Sequence, residues 1–208
     1  MSKYNCNKCE DRKYTIHNGK YIDCVCLKQL KMQNKYNEAN IPPIFRDYSW
    51  SDFFKDFPKM RYVWKLCKTI LKKVKKQERC KFLYIMGEGH SGKQAFISLI
   101  LKEFINAGLS CKFVSLNELI QMEFNKEDKS ELNRIYATYD VVCLRLGTVI
   151  NHGYARFVLE KFYSTRRNNK KYGIFTSRVD VGANANIYGL EMKKLVRDGR
   201  RILKVSMR

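Results

Sequence analysis

The sequence predicts an α/β protein, a parallel sheet flanked by helices, with a small cysteine-bearing module ahead of it. Three observations carry that expectation. Short apolar runs at residues 81–86, 111–116, 140–146 and 172–177 alternate with longer segments whose apolar side chains recur at helical spacing. That alternation builds parallel sheets from strand–helix units. The first run leads straight into a glycine-bracketed loop ending in lysine. Four cysteines fall within the first 26 residues, in a segment too polar to bury them as core thiols.

Composition narrows the class. The 208 residues are 45% hydrophobic, enough for one substantial core and a small appendage. A formal charge of +21 makes a compact body repel itself unless an anionic partner offsets it, and nucleic acid is the leading candidate. A membrane surface is the competing anion. The sequence has neither an apolar run of transmembrane length nor a secretory signal in its polar first 13 residues, so the expectation is a cytoplasmic protein without a membrane partner. In a reducing cytosol its eight cysteines read as metal ligands or buried thiols, not disulfides.

Cys6 and Cys9 form a C-x2-C pair, and Cys24 and Cys26 a C-x-C pair fourteen residues later. Asn18-Gly19 in the intervening segment is a hairpin signal that would bring the pairs together. Four thiolates suit zinc, whose filled d shell accepts a tetrahedron of sulfurs at about 2.3 Å. His17 is the alternative fourth ligand, and four ordinary reduced thiols the alternative to a metal site. With all four positions taken by protein, the role would be structural. The expected boundaries are a zinc-binding module over residues 1–40, a linker or strap over 41–58, and the α/β domain over 59–208.

Residues 27–38 read as a polar helix that Pro42-Pro43 closes off. The aromatic segment 45–57, with Tyr48, Trp50, Phe53 and Phe54, reads as a strap packed on the next domain, with a base-stacking platform as the alternative. Residues 60–74 are a core-facing helix. Its other side carries Lys65, Lys68, Lys72, Lys75 and Lys76, either phosphate contacts or a solvated face.

The loop Gly87-Glu88-Gly89-His90-Ser91-Gly92-Lys93-Gln94 has the P-loop form G-x4-G-K between a strand and a helix that Gly108 ends. Its glycines let the backbone wrap phosphates, the helix presents its positive end, and Lys93 would reach the terminal phosphates. A working loop follows the lysine with Ser or Thr to ligate magnesium, and here Gln94 stands there. The alternative is a glycine turn with no ligand.

The remaining core reads as strand 111–116, a helix over 118–124 capped by Asn117, strand 140–146, a helix over 154–167, and strand 172–177. Where P-loop ATPases end the strand corresponding to 140–146 in acids that hold magnesium, this sequence has Leu144 and Arg145. Asp140 lies at the wrong end to replace them. Arg145 could itself offset a phosphate's charge, but hydrolysis is not expected. Thr176 or Ser177 could sense a terminal phosphate. Arg166, Arg167, Lys170 and Lys171 form one basic cluster and residues 193–201 another, both suited to a phosphate backbone.

Taken in order, Cys6-Asn7-Lys8-Cys9-Glu10-Asp11, Cys24-Val25-Cys26, the Ala39-Asn40-Ile41-Pro42-Pro43-Ile44-Phe45 linker, the loop from Gly87 to Lys93, Leu146-Gly147 and Ile174-Phe175-Thr176-Ser177 make the chain resemble the DnaC/DnaI/IstB family of helicase loaders and transposase helpers, its phage-encoded members above all. The resemblance implies a P-loop NTPase (AAA+/RecA-like) fold behind a zinc module. It implies a DNA replication role in which the N-terminal module grips a hexameric replicative helicase and the ATPase domain grips single-stranded DNA. ATP or ADP would be the nucleotide, and self-association is open.

By position Lys93 would be the phosphate-binding lysine, with Thr176 and Ser177 at the sensor strand end. The sequence departs from the family at Gln94, at Leu144 and Arg145, at Arg178 in place of Asn, and at Lys193 and Lys194 where an arginine finger is expected. Those departures imply a loader that no longer hydrolyses ATP. An active but atypical DNA-dependent ATPase, and a transposase-helper or nucleic-acid-binding module with a vestigial P-loop, are the alternatives.

Overall fold

The computed structural model describes residues 5–76, 82–125, 129–147, 152–179 and 202–204. Strands β1 (Tyr14–His17) and β2 (Lys20–Asp23) form the expected antiparallel hairpin. Asn18 and Gly19 turn it with φ of 49° and 73°, the left-handed pair that a tight two-residue hairpin requires. Helix α1 (Val25–Glu38) follows at once, with Cys24 as its N-cap residue.

The expected strap contains a helix of its own, α2 (Trp50–Asp56). Ser49 and Asp52 close it with a reciprocal capping box. Its rings pack inward: Phe53 is fully buried, and Trp50 stacks on Phe54 at 5.7 Å and meets Phe96 edge-on at 6.0 Å. Lys102 fastens the segment from the core side, donating to the carbonyls of Tyr48 (2.8 Å) and Phe45 (3.3 Å). Aromatics used this way are packing rather than a stacking platform. Helix α3 (Arg61–Lys75), with Met60 as its N-cap residue, then lays Ile70, Leu71 and Val74 on the same core, where Met60 is also buried.

The central sheet contains β3 (Phe82–Met86), β4 (Cys111–Ser115), β5 (Val141–Arg145), β6 (Tyr172–Ser177) and the short β7 (Ile202–Lys204). The strand order is β4-β5-β6-β3-β7, and every pairing is parallel. Helix α4 (Lys93–Asn106) crosses one face with α1, α2 and α3, and packs on Leu83, Ile85, Cys143 and Ile174. On the other face, α5 (Leu116–Asn125) and α7 (His152–Asn168) cover Phe82, Tyr84, Val142, Leu144 and Phe175.

At edge strand β4 the linker takes the open ladder positions. Phe113 N–H donates to Ala39 C=O (2.9 Å), and Asn40 Nδ2 donates back to Phe113 C=O (3.1 Å). Between β6 and β3, Gly173 faces Phe82 so closely that an added Cβ would lie 2.5 Å from its ring.

One local expectation is corrected and one element is added. Helix α5 is capped by Ser115, one turn before Glu118, and not by Asn117. Ser115 Oγ accepts from Glu118 N–H (3.2 Å), while the Glu118 carboxylate accepts from Ser115 N–H (2.6 Å). The stretch before β5 holds helix α6 (Lys129–Asn133) running into a π turn, Arg134–Thr138, which the sequence reading passed over.

Candidate phosphate-binding edge and cysteine cluster

In a parallel sheet the carboxyl ends of the strands, with the helix N-termini that follow, form the edge where ligands bind. Here β3 leaves that edge into the loop at 87–92. Gly92 (φ 70°) and His90 (φ 57°) both take left-handed backbone, and Gly92 is the N-cap residue of α4, its carbonyl accepting from Phe96 N–H (2.9 Å). Ser91 is buried, whereas Gly89, His90 and Gln94 are exposed. The Lys93 ammonium folds back into the loop and donates to the carbonyls of Gly87 and Glu88 and to Ser91 Oγ (3.1 Å). Burial lowers the Lys93 pKa, the Arg178 charge lowers it further, and Glu88 opposes both.

The neighbouring strand ends are set by register. Arg145 lies beside Thr176, Thr176 beside Ile85, and Ser177 beside Met86. Since side chains alternate faces, Arg145 and Thr176 share the α4 face with Cys143, Ile174 and Ile85, while Leu144 turns into the opposite layer. Of the two expected acid positions, therefore, only Arg145 lies on the loop's face. Its exposed guanidinium sits 6.0 Å from the Phe113 ring centroid.

Thr176 and Ser177 are both buried. Ser177 Oγ accepts from Val179 N–H (3.2 Å), and Ser177 C=O accepts from Gly87 N–H (3.2 Å). The strand's exit, carrying exposed Arg178, is thereby held against the first glycine of the loop. Lys93, Arg145 and Arg178 form no ion pair among the described residues.

The expected nucleic-acid residues divide. Lys65, Lys68 and Lys72 are exposed on α3, and Arg61 and Lys76 extend them to a stripe spaced four, three, four and four residues apart, one helix face. The sequence reading missed Arg61, although the same spacing would have found it. Lys68 Nζ lies 4.5 Å from the Trp64 ring centroid.

Arg166 is a correction: it is wholly buried and touches no solvent. Its guanidinium donates to the carbonyls of Ile135 (2.8 Å), Tyr139 (2.9 Å), Asp140 (3.2 Å) and Tyr172 (3.0 Å). Lys171 pairs with Asp140 at 2.9 Å, so of that cluster Arg167 and Lys170 are the exposed members. Residues 193–201, including Lys193 and Lys194, lie outside the described residues.

The hairpin brings the cysteine pairs together. All four sulfurs of Cys6, Cys9, Cys24 and Cys26 lie within 4.8 Å of one another, with Cys6–Cys24 at 3.8 Å and Cys9–Cys26 at 3.4 Å. A tetrahedron with arms of about 2.3 Å has edges of about 3.8 Å, so these spacings suit a thiolate-bound metal. Asp11 shapes the first turn by accepting from the backbone N–H groups of Asn5 (3.2 Å) and Cys6 (2.9 Å).

The backbone N–H groups of Lys8 and Cys9 bring the Cys6 thiol down to about 7. The hydrogen bond with Cys9, with burial behind it, pushes Cys26 up to about 12. Crowded sulfurs that cannot all ionise unaided are what a cation resolves. His17 lies across the hairpin turn, outside the four-sulfur group.

Strand order, loop and helix define the class by fold alone: a parallel α/β sheet with a lysine-bearing P-loop between β3 and the helix that follows. No known protein-family pattern matches the sequence, and no curated protein is similar to it by sequence. Solved structures do share the fold. DnaI superposes with a TM-score of 0.63 at 17% identity, covering 81% of this chain and 95% of that one. The DnaC helicase loader superposes with a TM-score of 0.57 at 19% identity, covering 83% and 98%. The replication initiator DnaA, solved with AMPPCP and single-stranded DNA, gives a TM-score of 0.58 at 13% identity over 72% of this chain and 47% of its own. No described helix is long and apolar enough to cross a membrane.

Proposed function

We propose that this chain is a DNA replication accessory protein resembling a replicative helicase loader, which binds single-stranded DNA and a hexameric helicase and has lost ATP hydrolysis. The loader reading is supported by a fold that accounts for nearly the full length of the DnaC and DnaI structures. The loss of hydrolysis rests on one observation: at the strand end where an acid would hold magnesium and orient water, the loop's face carries Arg145. Gln94 at the first turn of α4 removes the usual hydroxyl ligand as well.

The loop at Gly87, Gly89, His90, Ser91, Gly92, Lys93 and Gln94, with Thr176 beside it, would take ATP or ADP as a ligand and not as a fuel. Ser177 would hold the loop's entry. Cys6, Cys9, Cys24 and Cys26 would hold one structural zinc, stabilising the module that presents to the helicase. The stripe through Lys65, Lys68 and Lys72, with Arg167 and Lys170 at the far edge, would meet DNA phosphates without reading sequence.

Phosphate release by the purified full chain with single-stranded DNA tests the central point. Turnover no higher than in Lys93→Ala is expected, and turnover that Lys93→Ala abolishes would overturn it. That second outcome is the one an active, atypical DNA-dependent ATPase requires, a reading that the intact Lys93 loop favours. Co-purification with a hexameric helicase that survives high salt separates a specific contact from charge alone. Metal analysis giving about one zinc per chain checks the cysteine site.

A further inference from the structure

We infer that the 87–94 loop binds the phosphates of a nucleotide without a divalent cation, with Arg145 and Arg178 supplying the positive charge that magnesium supplies elsewhere. The inference rests on the nucleotide-binding reading above and names the ionic form of its ligand. A P-loop metal needs a hydroxyl on the helix's first turn and a carboxylate at the facing strand end. This chain offers the Gln94 amide at the first place and a guanidinium at the second. An amide oxygen is a weak magnesium ligand, and a fixed cation at the acid's position repels the ion.

The same two changes suit a bare polyphosphate. Arg145 comes from the strand once removed from β3, on the face that α4 occupies. Arg178 follows Ser177, whose carbonyl is bonded to Gly87 N–H. Arg178 therefore stands at the loop's entry, and Arg145 ends a strand on the same face with its exposed side chain over Phe113, from where it can swing to a phosphate held by Lys93. Guanidinium forks match phosphate oxygens in bidentate geometry, which a point charge does not.

The carboxylates nearest this edge among the described residues do not restore a metal site. Glu118 caps α5 through Ser115 N–H, and Glu88 stands exposed on the loop itself, ahead of the helix. Lys93 meanwhile bonds to the loop's own oxygens, contacts that phosphate oxygens would replace.

The test is titration of the full chain with a fluorescent ATP analogue in two buffers, one with magnesium and one with EDTA. The expected dissociation constants agree within about threefold. Arg145→Ala and Arg178→Ala, both at exposed positions, each weaken binding about tenfold or more in both buffers. Arg145→Asp, which restores an acid, makes binding weaker in EDTA than in magnesium. Wild-type binding that falls more than about tenfold in EDTA overturns the inference and leaves nucleotide binding standing. Absence of binding in both buffers overturns nucleotide binding and the inference with it. Circular dichroism of each variant separates lost binding from lost folding.

Discussion

The two edges of the central sheet treat charge in opposite ways. At the amino edge, Asp140 accepts from Ser110 N–H (2.9 Å), Ser110 Oγ (2.8 Å) and Lys171 Nζ (2.9 Å), and Arg166 is consumed by four backbone carbonyls. At the carboxyl edge, Lys93 donates only to oxygens of its own loop with the Arg178 charge near it, and Arg145 and Arg178 are exposed with no ion pair among the described residues. Both edges are rich in Arg and Lys, so sequence alone would give them one role. The difference is one of reach: Arg166 ties together carbonyls from distant parts of the chain, whereas Lys93 bonds only within its own loop and Arg145 and Arg178 stay exposed.

Arg166→Met should therefore have the largest effect on stability. It removes the Arg166 donor from the carbonyls of Ile135 in the π turn, of Tyr139, and of Tyr172 at the start of β6, for an expected loss of about 3–5 kcal/mol, read from urea unfolding. A loss under about 1 kcal/mol would break the distinction between the edges.

Asp140→Asn should cost less, about 1–2 kcal/mol at neutral pH, because the carboxylate is partly solvated. Burial alone would raise the Asp140 pKa, but Lys171 and the two Ser110 donors outweigh it and bring it below the ordinary value. Its contribution is thus full above the unfolded carboxyl pKa of about 3.9 and is lost as pH falls through the lower folded value. Unfolding midpoints of wild type and Asp140→Asn should converge on acidification below about pH 4.

At the opposite edge, Lys93→Ala should change stability by less than about 1 kcal/mol while abolishing nucleotide binding. Burial and Arg178 lower the Lys93 pKa, so the fold disfavours its charged form. That penalty is present below the folded pKa and fades as pH rises past the unfolded value of about 10.4. Thermal unfolding of the variant near pH 7 should accordingly match or slightly exceed wild type.

The smallest expected effects per residue lie on α3. Lys65→Ala, Lys68→Ala and Lys72→Ala should each leave unfolding unchanged and flatten the salt dependence of single-stranded DNA binding by a slope of about 0.7. Unchanged salt slopes in all three would remove the stripe from the DNA-binding surface.

Legibility followed the range of the interactions. The strands announced themselves because buried parallel strands are continuous apolar runs, as in Phe82–Met86 and Tyr172–Ser177. The hairpin was legible because Asn18-Gly19 meets a backbone demand that few pairs meet. The cap at Ser115 was missed because Asn117 is also a good cap former, and only the end of β4 decides where helix α5 begins. The π turn was missed because Ile135 and Tyr136 are apolar at no regular period, and they are buried only once α7 lies over them.

The sequence by itself determined the α/β alternation, the lysine loop and the paired cysteines, since each depends on residues close along the chain and on local backbone rules. The tertiary structure alone decided which cations are buried in the fold and which stay exposed at the sheet's carboxyl edge. Arg166 and Arg145 differ in that role because the carbonyls that surround the first, and the strand register that aligns the second with Thr176, join residues far apart in the chain.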